Sequence, residues 1–289
     1  AIGHIFMTRS PRTLTIRVLG SGTSTGVPVI GCRCPVCTST DPRNRRLRSS
    51  VAVEVDGRHL LIDCSTDFRQ QMLRDPVPRI DAVLLTHTHS DHISGIDDLR
   101  IFNYRQGGAI PVFTTDYFIA DLRTRFSYAF TPTQMGGGVP QLELTAVAPG
   151  TPFVAAGVEV LPVQVMHGRL PILGFRIGPF AYVTDCSGLP DATIQQLRGV
   201  DTLILSALRP EPHETHFSLG QALEAATLIA PRRVYFTHIA DRLDHETTNR
   251  ELPPWAALLY DGQVIEVEAD RAAGFAAPSA TEPAGSDGA

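Results

Sequence analysis

Three histidines and an aspartate fall within six positions, His87-Thr88-His89-Ser90-Asp91-His92, one residue after the apolar run 82–85. Such a run suits a strand buried on both faces. In extended chain, residues i and i+2 point the same way, so His87 and His89 can reach one point. If the chain turns into a helix near Ser90, Asp91 and His92 swing together toward a neighbouring point. Imidazole and carboxylate are the donor set of zinc, manganese or iron. The segment therefore asks for a fold that fixes a strand end at the edge of a core, and 43% hydrophobic residues over 289 positions suffice to build one. A solvated histidine-rich turn without metal is the competing reading.

Around this segment, residues 13–19 alternate as a strand and run into the loop 20–26. Residues 50–55 and 59–62 read as a hairpin about Asp56-Gly57, a type I′ turn signal. Helices are expected at 67–74, from His92 through Ile96, Leu99 and Ile101, and at 118–126, 192–196 and 218–229. Strands are expected at 82–85, 112–114, 158–165, 174–177, 181–184, 202–206, 233–236 and 263–267, with a loop at Gly136-Gly137-Gly138. Short strands with intervening helices imply a layered α/β or α+β domain, placed at residues 13–270, with no repeat at solenoid spacing. Residues 1–12 read as an extension, in which Met7 fits a native start and residues 1–6 are foreign to it. Residues 271–289, rich in Ala, Pro, Ser and Gly, read as a disordered tail.

The formal net charge of −5 excludes a domain held to nucleic acid by overall positive charge. All 25 basic residues are arginine, which we read as coding bias. No apolar stretch approaches the roughly 18 residues of a spanning helix, and the N-terminus lacks a secretory h-region. Five cysteines are an odd number and make a poor disulfide framework. A cytoplasmic setting is expected. Cys32, Cys34 and Cys37 form CxCxxC, three thiolates that can fill three corners of a zinc tetrahedron and need one further ligand; free thiols or a local disulfide are the alternative. Cys64 and Cys186 read as small buried hydrophobes.

The segment THTHSDH resembles the HxHxDH signature of the metallo-β-lactamase fold superfamily. CxCxxC after the GSGTSTGVP loop, with RNRRLRSS, IDCSTDFRQQ, TDCSGLP and FTHIADRLDHE, resembles the PhnP-like phosphodiesterases, from about Thr15 to Val267; PqqB-type proteins share a similar cysteine cluster. The resemblance implies an α+β, four-layer αβ/βα sandwich. It implies two active-site metals: His87, His89 and His167 on one, Asp91, His92 and His238 on the other, and Asp185 bridging. Asp63, closing the strand before the site, is expected to orient a ligating imidazole, or else to act as a cap or turn residue. The family's fourth structural ligand is a histidine at the position occupied here by Asp241, so a Cys₃Asp zinc is expected, with His245 as the alternative. His216, in a loop before the helix at 218, matches a non-ligand active-site histidine.

Two divalent metals, zinc or manganese, about 3.5–4 Å apart can activate a water and clamp a phosphoryl transition state. The expected function is hydrolysis of small cyclic phosphate or nucleotide-like phosphodiesters, with His216 as general acid and Asp91 orienting the nucleophile. Competing functions are RNase Z-like processing, which lacks a long insertion for an RNA-binding arm, lactonase, β-lactamase or thioesterase activity, and a non-catalytic PqqB-like carrier. No nucleic acid or membrane partner is expected; the resemblance implies a homodimer. Arg43, Arg45, Arg46 and Arg48 could hold an anionic substrate or a partner subunit, or form a solvated face.

Overall fold

The computed structural model describes residues 13–131 and 138–268. Its strands are β1 (Thr13–Gly20), β2 (Ser50–Val55), β3 (Arg58–Ile62), β4 (Ala82–Leu84), β5 (Ile110–Thr114), β6 (Leu142–Ala146), β7 (Phe153–Ala155), β8 (Val158–His167), β9 (Leu170–Ile177), β10 (Phe180–Val183), β11 (Thr202–Ser206), β12 (Arg233–Thr237), β13 (Ala256–Leu258) and β14 (Val264–Glu268). The α-helices are α1 (Phe68–Arg74), α2 (Ser90–Ile93), α3 (Arg100–Gln106), α4 (Asp116–Arg125), α5 (Ser127–Phe130), α6 (Asp191–Leu197), α7 (Leu219–Ile229) and α8 (His245–Glu251).

Alternation along the strands sets the layers. Leu60 and Ile62 of β3, and Ala82 and Leu84 of β4, point into a core that also holds Phe180 and Tyr182 of β10 and Ile204 of β11. The residues between them point the other way. Leu61 and Val83 pack under Phe68, Leu99, Phe102 and Leu122 of the first helical layer, and Ala181, Leu203 and Leu205 pack against Ala222, Ala226 and Ile229 of α7. The order is helix, sheet, sheet, helix, as the family resemblance implies.

The two sheets run β14-β1-β2-β3-β4-β5-β6 and β13-β12-β11-β10-β9-β8-β7. In the first, pairing is antiparallel from β14 to β3 and parallel from β3 to β6. In the second it is antiparallel from β7 to β10 and parallel from β10 to β13. The second half thus repeats the first. The repeat is legible at one point in the chain: Asp63-Cys64-Ser65 follows β3 and Asp185-Cys186-Ser187 follows β10, the strand that opens the parallel part in each sheet. The hairpin at Asp56-Gly57 has both residues at positive φ, 50° and 71°, as a type I′ turn requires.

Some expectations need correction. His167 does not follow its strand but is the last residue of β8, opposite Leu170 across a tight turn at Gly168. The edge strands β6, β7 and β13 went unanticipated, β7 and β13 being three residues long and β6 largely exposed. Helix α8 (HETTNRE) has no apolar period; its signal is the N-cap Asp244, whose side chain accepts from Thr247 N. Residues 1–12, Gly136, Gly137 and the tail 271–289 lie outside the described residues. Among those described, no helix is long and apolar enough to cross a membrane.

Candidate functional site

The site gathers at the carboxyl ends of the parallel strands, where an α/β sheet leaves a crevice. Asp63 follows β3, the segment 85–92 follows β4, Asp185 lies just past β10 and His238 follows β12. Asp63, Asp185 and His238 all have left-handed backbones, with φ of 60°, 50° and 57°. Such a conformation costs a non-glycine residue about 1–3 kcal/mol, and Asp and His adopt it more readily than branched residues. Helix α2 begins at Ser90 with His89 as its extended N-cap, so Asp91 and His92 turn inward together.

Two donor sets result, each with its ligand atoms within 4.8 Å of one another: His87, His89, His167 and Asp185, and Asp91, His92, Asp185 and His238. Asp185 belongs to both. Its Oδ2 lies 3.6 Å from His87 Nε2 and 3.9 Å from His167 Nε2, and its Oδ1 lies 3.3 Å from His92 Nε2 and 3.1 Å from His238 Nε2.

The far nitrogens of three imidazoles are fixed by neighbours. Thr86 N donates to Asp63 Oδ1 at 2.9 Å, and Thr86 Oγ1 donates to Asp63 and so accepts from His87 Nδ1 at 3.0 Å. His92 Nδ1 donates to Asp63 Oδ2 at 2.7 Å. His167 Nδ1 donates to the Thr215 carbonyl at 2.8 Å. With Nδ1 engaged in this way, each Nε2 is the ring nitrogen that faces the site. The Nε2 atoms of His87, His92 and His238 are buried and make no hydrogen bond among the described residues. Asp63, expected beside the site, is thus hydrogen-bonded to a site imidazole.

Charge balance agrees with a cation-binding cradle. Burial opposes charge on Asp185, yet His238 and His92 hold its carboxyl well below the usual range. Burial likewise opposes charge on Asp91, and His92 and His238 again prevail. Burial opposes charge on His92, but Asp185, Asp63 and Asp91 push it above the ordinary imidazole range. Burial, reinforced by His92, lowers His87. Acidic groups deep in the fold thus compete for positive charge at one place, and donor type, burial and orphaned nitrogens together fit divalent metal.

The cysteines form a second cluster. Asp241 Oδ2 sits 3.3 Å from Cys32 Sγ, 3.5 Å from Cys34 Sγ and 3.6 Å from Cys37 Sγ. The backbone N–H groups of Cys34, Cys37 and Val29 donate to the sulfurs of Cys32, Cys34 and Cys37. Three sulfurs and a carboxylate within 4.8 Å fit a zinc tetrahedron. His245 is not in this cluster; its ring packs against Tyr260. Cys64 and Cys186 are fully buried in the helix–sheet cores.

His216 lies between the His167 and His238 rings, with centroids 4.7 and 4.9 Å away. Although it lies in a loop, it is enclosed: its Nδ1 is buried without a hydrogen bond among the described residues, and burial, with His238 beside it, pushes its pKa down to about 3. His213 packs on its outer side, 5.2 Å away.

Three of the four arginines in the run, Arg43, Arg46 and Arg48, brace the fold internally. Arg43 pairs with Asp41 and Glu246 and Arg48 with Asp67. Arg46 is buried and donates to the carbonyls of Ala240 and Leu243, bracketing Asp241 just beyond His238. Residue type gives no hint of this, because two of its partners are backbone carbonyls and the third is the side chain of Asn44. Gly22 serves the same junction. It bridges both Arg48 and Ile239, and a Cβ there would meet Arg46 O at 2.8 Å.

Residues 58–239 match the family model of the beta-lactamase superfamily domain, and the chain belongs to that family, with its metallo-β-lactamase fold. Within it, the chain is 43% identical to a diphosphatase of the PhnP family, whose crystal structure superposes with a TM-score of 0.83 over 88% of this chain and 97% of that one. Coenzyme PQQ synthesis protein B of Methylobacterium nodulans is 32% identical over 218 residues, 65% of this chain and 70% of that protein. An octanoyltransferase of Porphyromonas gingivalis is 39% identical over 248 residues, 85% of this chain; the chain spans only 50% of that relative's length.

Proposed function

We propose that the chain is a metal-dependent hydrolase of small cyclic or nucleotide-like phosphodiesters and related diphosphates. The carrying observation is the sharing of Asp185: one carboxylate faces two histidine sets through its two oxygens. His87, His89 and His167 would hold one divalent metal, zinc or manganese, and Asp91, His92 and His238 the other, with Asp185 between them. Bound there, two divalent metals supply Lewis acidity for a phosphoryl group and a lowered pKa for water. Asp63 holds the His92 ring in its ligating orientation. Asp91 orients the nucleophile. His216 holds the proton for the departing alkoxide, and an anionic phosphoryl group beside it raises its pKa toward that task. Cys32, Cys34, Cys37 and Asp241 would hold a structural zinc.

The PhnP-family relative supports the phosphoryl reading, because a diphosphate linkage also places phosphoryl oxygens at the reacting centre. The acyl-transfer name belongs to a relative twice as long as the shared stretch. The test is hydrolysis of bis(p-nitrophenyl) phosphate against a lactone and a thioester, on metal-defined protein with and without added Mn²⁺. Phosphodiester cleavage should dominate. Faster acyl cleavage would make the chain a lactonase or thioesterase. No cleavage of any substrate by fully metallated protein would favour a carrier.

A further inference from the structure

A cavity of about 380 Å³ opens at the edge of the first donor set, with His89 among its lining residues. That volume falls in the range of about 300–1,000 Å³ typical of small-molecule sites. One wall is α4, with Tyr117, Phe118, Asp121 and Arg125, and Leu170 lines it as well. Phe118 is buried, its ring steeply inclined to that of His87, with centroids 6.4 Å apart. Tyr117 packs edge-on against Phe118 at 5.3 Å, yet remains 69% exposed. Asp121 Oδ2 accepts from Arg125 Nε at 2.8 Å and also from Thr88 Oγ1. Thr88 lies between His87 and His89, so the cavity wall is tied to the histidine segment by a direct hydrogen bond.

We propose that this groove is the subsite for the nucleoside half of the substrate, an inference that rests on the phosphoryl reading above. The base stacks on Tyr117, and Arg125, held by Asp121, meets the polar edge or the ribose, while the phosphate lies toward His89. The mixed wall selects this occupant. An acyl chain would cover Tyr117, Phe118 and Leu170 but would lay methylenes against the charged Asp121–Arg125 pair and Thr124. A bare sugar phosphate would use the charges and leave the aromatic wall wet. A heterocycle offers an apolar face and a polar edge at once.

The test is calorimetric binding of adenosine 5′-monophosphate and of methyl phosphate to metal-loaded wild type, Tyr117→Ala and Tyr117→Phe. Wild type should bind the nucleotide at least tenfold tighter than methyl phosphate, and Tyr117→Ala should shrink that ratio by roughly tenfold, the scale of one base–aromatic stack. Tyr117→Phe should keep it. A wild-type ratio near one, or a Tyr117→Ala ratio equal to wild type, overturns the groove. Hydrolysis of adenosine 5′-(p-nitrophenyl phosphate) separates the two claims. If the binding ratios come out as expected but no diester is cleaved, the phosphodiesterase reading falls and the groove stands. If diesters are cleaved and the ratios are flat, the groove falls alone.

Discussion

Asp63 and Asp185 open the same Asp-Cys-Ser triplet in the two halves of the fold, share a left-handed backbone, and face opposite nitrogens of the His92 ring. Asp63 is spent on Thr86 and His92, whereas Asp185 keeps both oxygens turned toward four imidazoles. A residue's type and strand-end position therefore do not decide between ligand and orienter; the neighbour that reaches it first does. His216 shows the same dependence. Its place between the His167 and His238 rings allows three roles, and one variant separates them. His216→Ala should keep its metals and lose on the order of 10²–10⁴-fold in rate on an alkyl or cyclic ribose phosphodiester. The loss on a p-nitrophenyl ester should be much smaller, because that leaving group departs without a proton. Equal losses would make His216 a substrate-positioning residue, and loss of metal would make it a ligand. At this scale the sequence is most informative where candidate donors are local: the convergence of His87, His89, Asp91 and His92 follows from strand and helix geometry alone. His167, Asp185 and His238 are lone residues far along the chain, and only resemblance singles them out. Thr86, Thr215 and Arg46 carry no sequence signal, since they act through backbone groups or through neighbours brought in by the fold.

At the scale of elements, the cysteine loop behaves as a clamp on the segment after β12. Cys32, Cys34 and Cys37 converge on Asp241, Arg46 holds the carbonyls of Ala240 and Leu243, and the backbones of Ser21 and Thr23 pair with Ile239. All three contacts fix the chain just beyond His238. Zinc loading at this cluster is the expectation, and Cys34→Ser should abolish it and lower the melting temperature, by roughly 2–4 °C for each kcal/mol lost in a domain of this size. Metal analysis and a thermal scan check both; if neither moves, the cysteines are not a metal site. Buried strands and hairpins with strong turn chemistry were readable because alternation and Asp-Gly are local signals. β6, β7, β13 and α8 were not, because edge strands and polar helices take their stability from pairing and capping rather than from an apolar period.

At the scale of the whole molecule, the site is a joint between two similar halves. The first half supplies His87, His89, Asp91 and His92, and the second supplies His167, Asp185 and His238. Neither donor set is complete within one half, so a metal held there would couple the docking of one sheet on the other to the stability of both. A ligand that binds only the folded joint at a thousandfold excess over its Kd adds about 4 kcal/mol. Metal analysis of wild type should therefore approach three equivalents per chain, two at the joint and one at the cysteines, and chelation should lower the melting temperature. The two carboxylates should then differ. Asp91→Ala removes a ligand from one donor set, so it should nearly abolish hydrolysis while the His87, His89 and His167 metal stays. Asp185→Ala removes the group common to both sets, so it should deplete both metals and bring the melting temperature close to that of chelated wild type. If Asp185→Ala loses no more metal than Asp91→Ala, the carboxylate is not shared. If reconstituted wild type never exceeds one equivalent, the joint does not hold a metal pair.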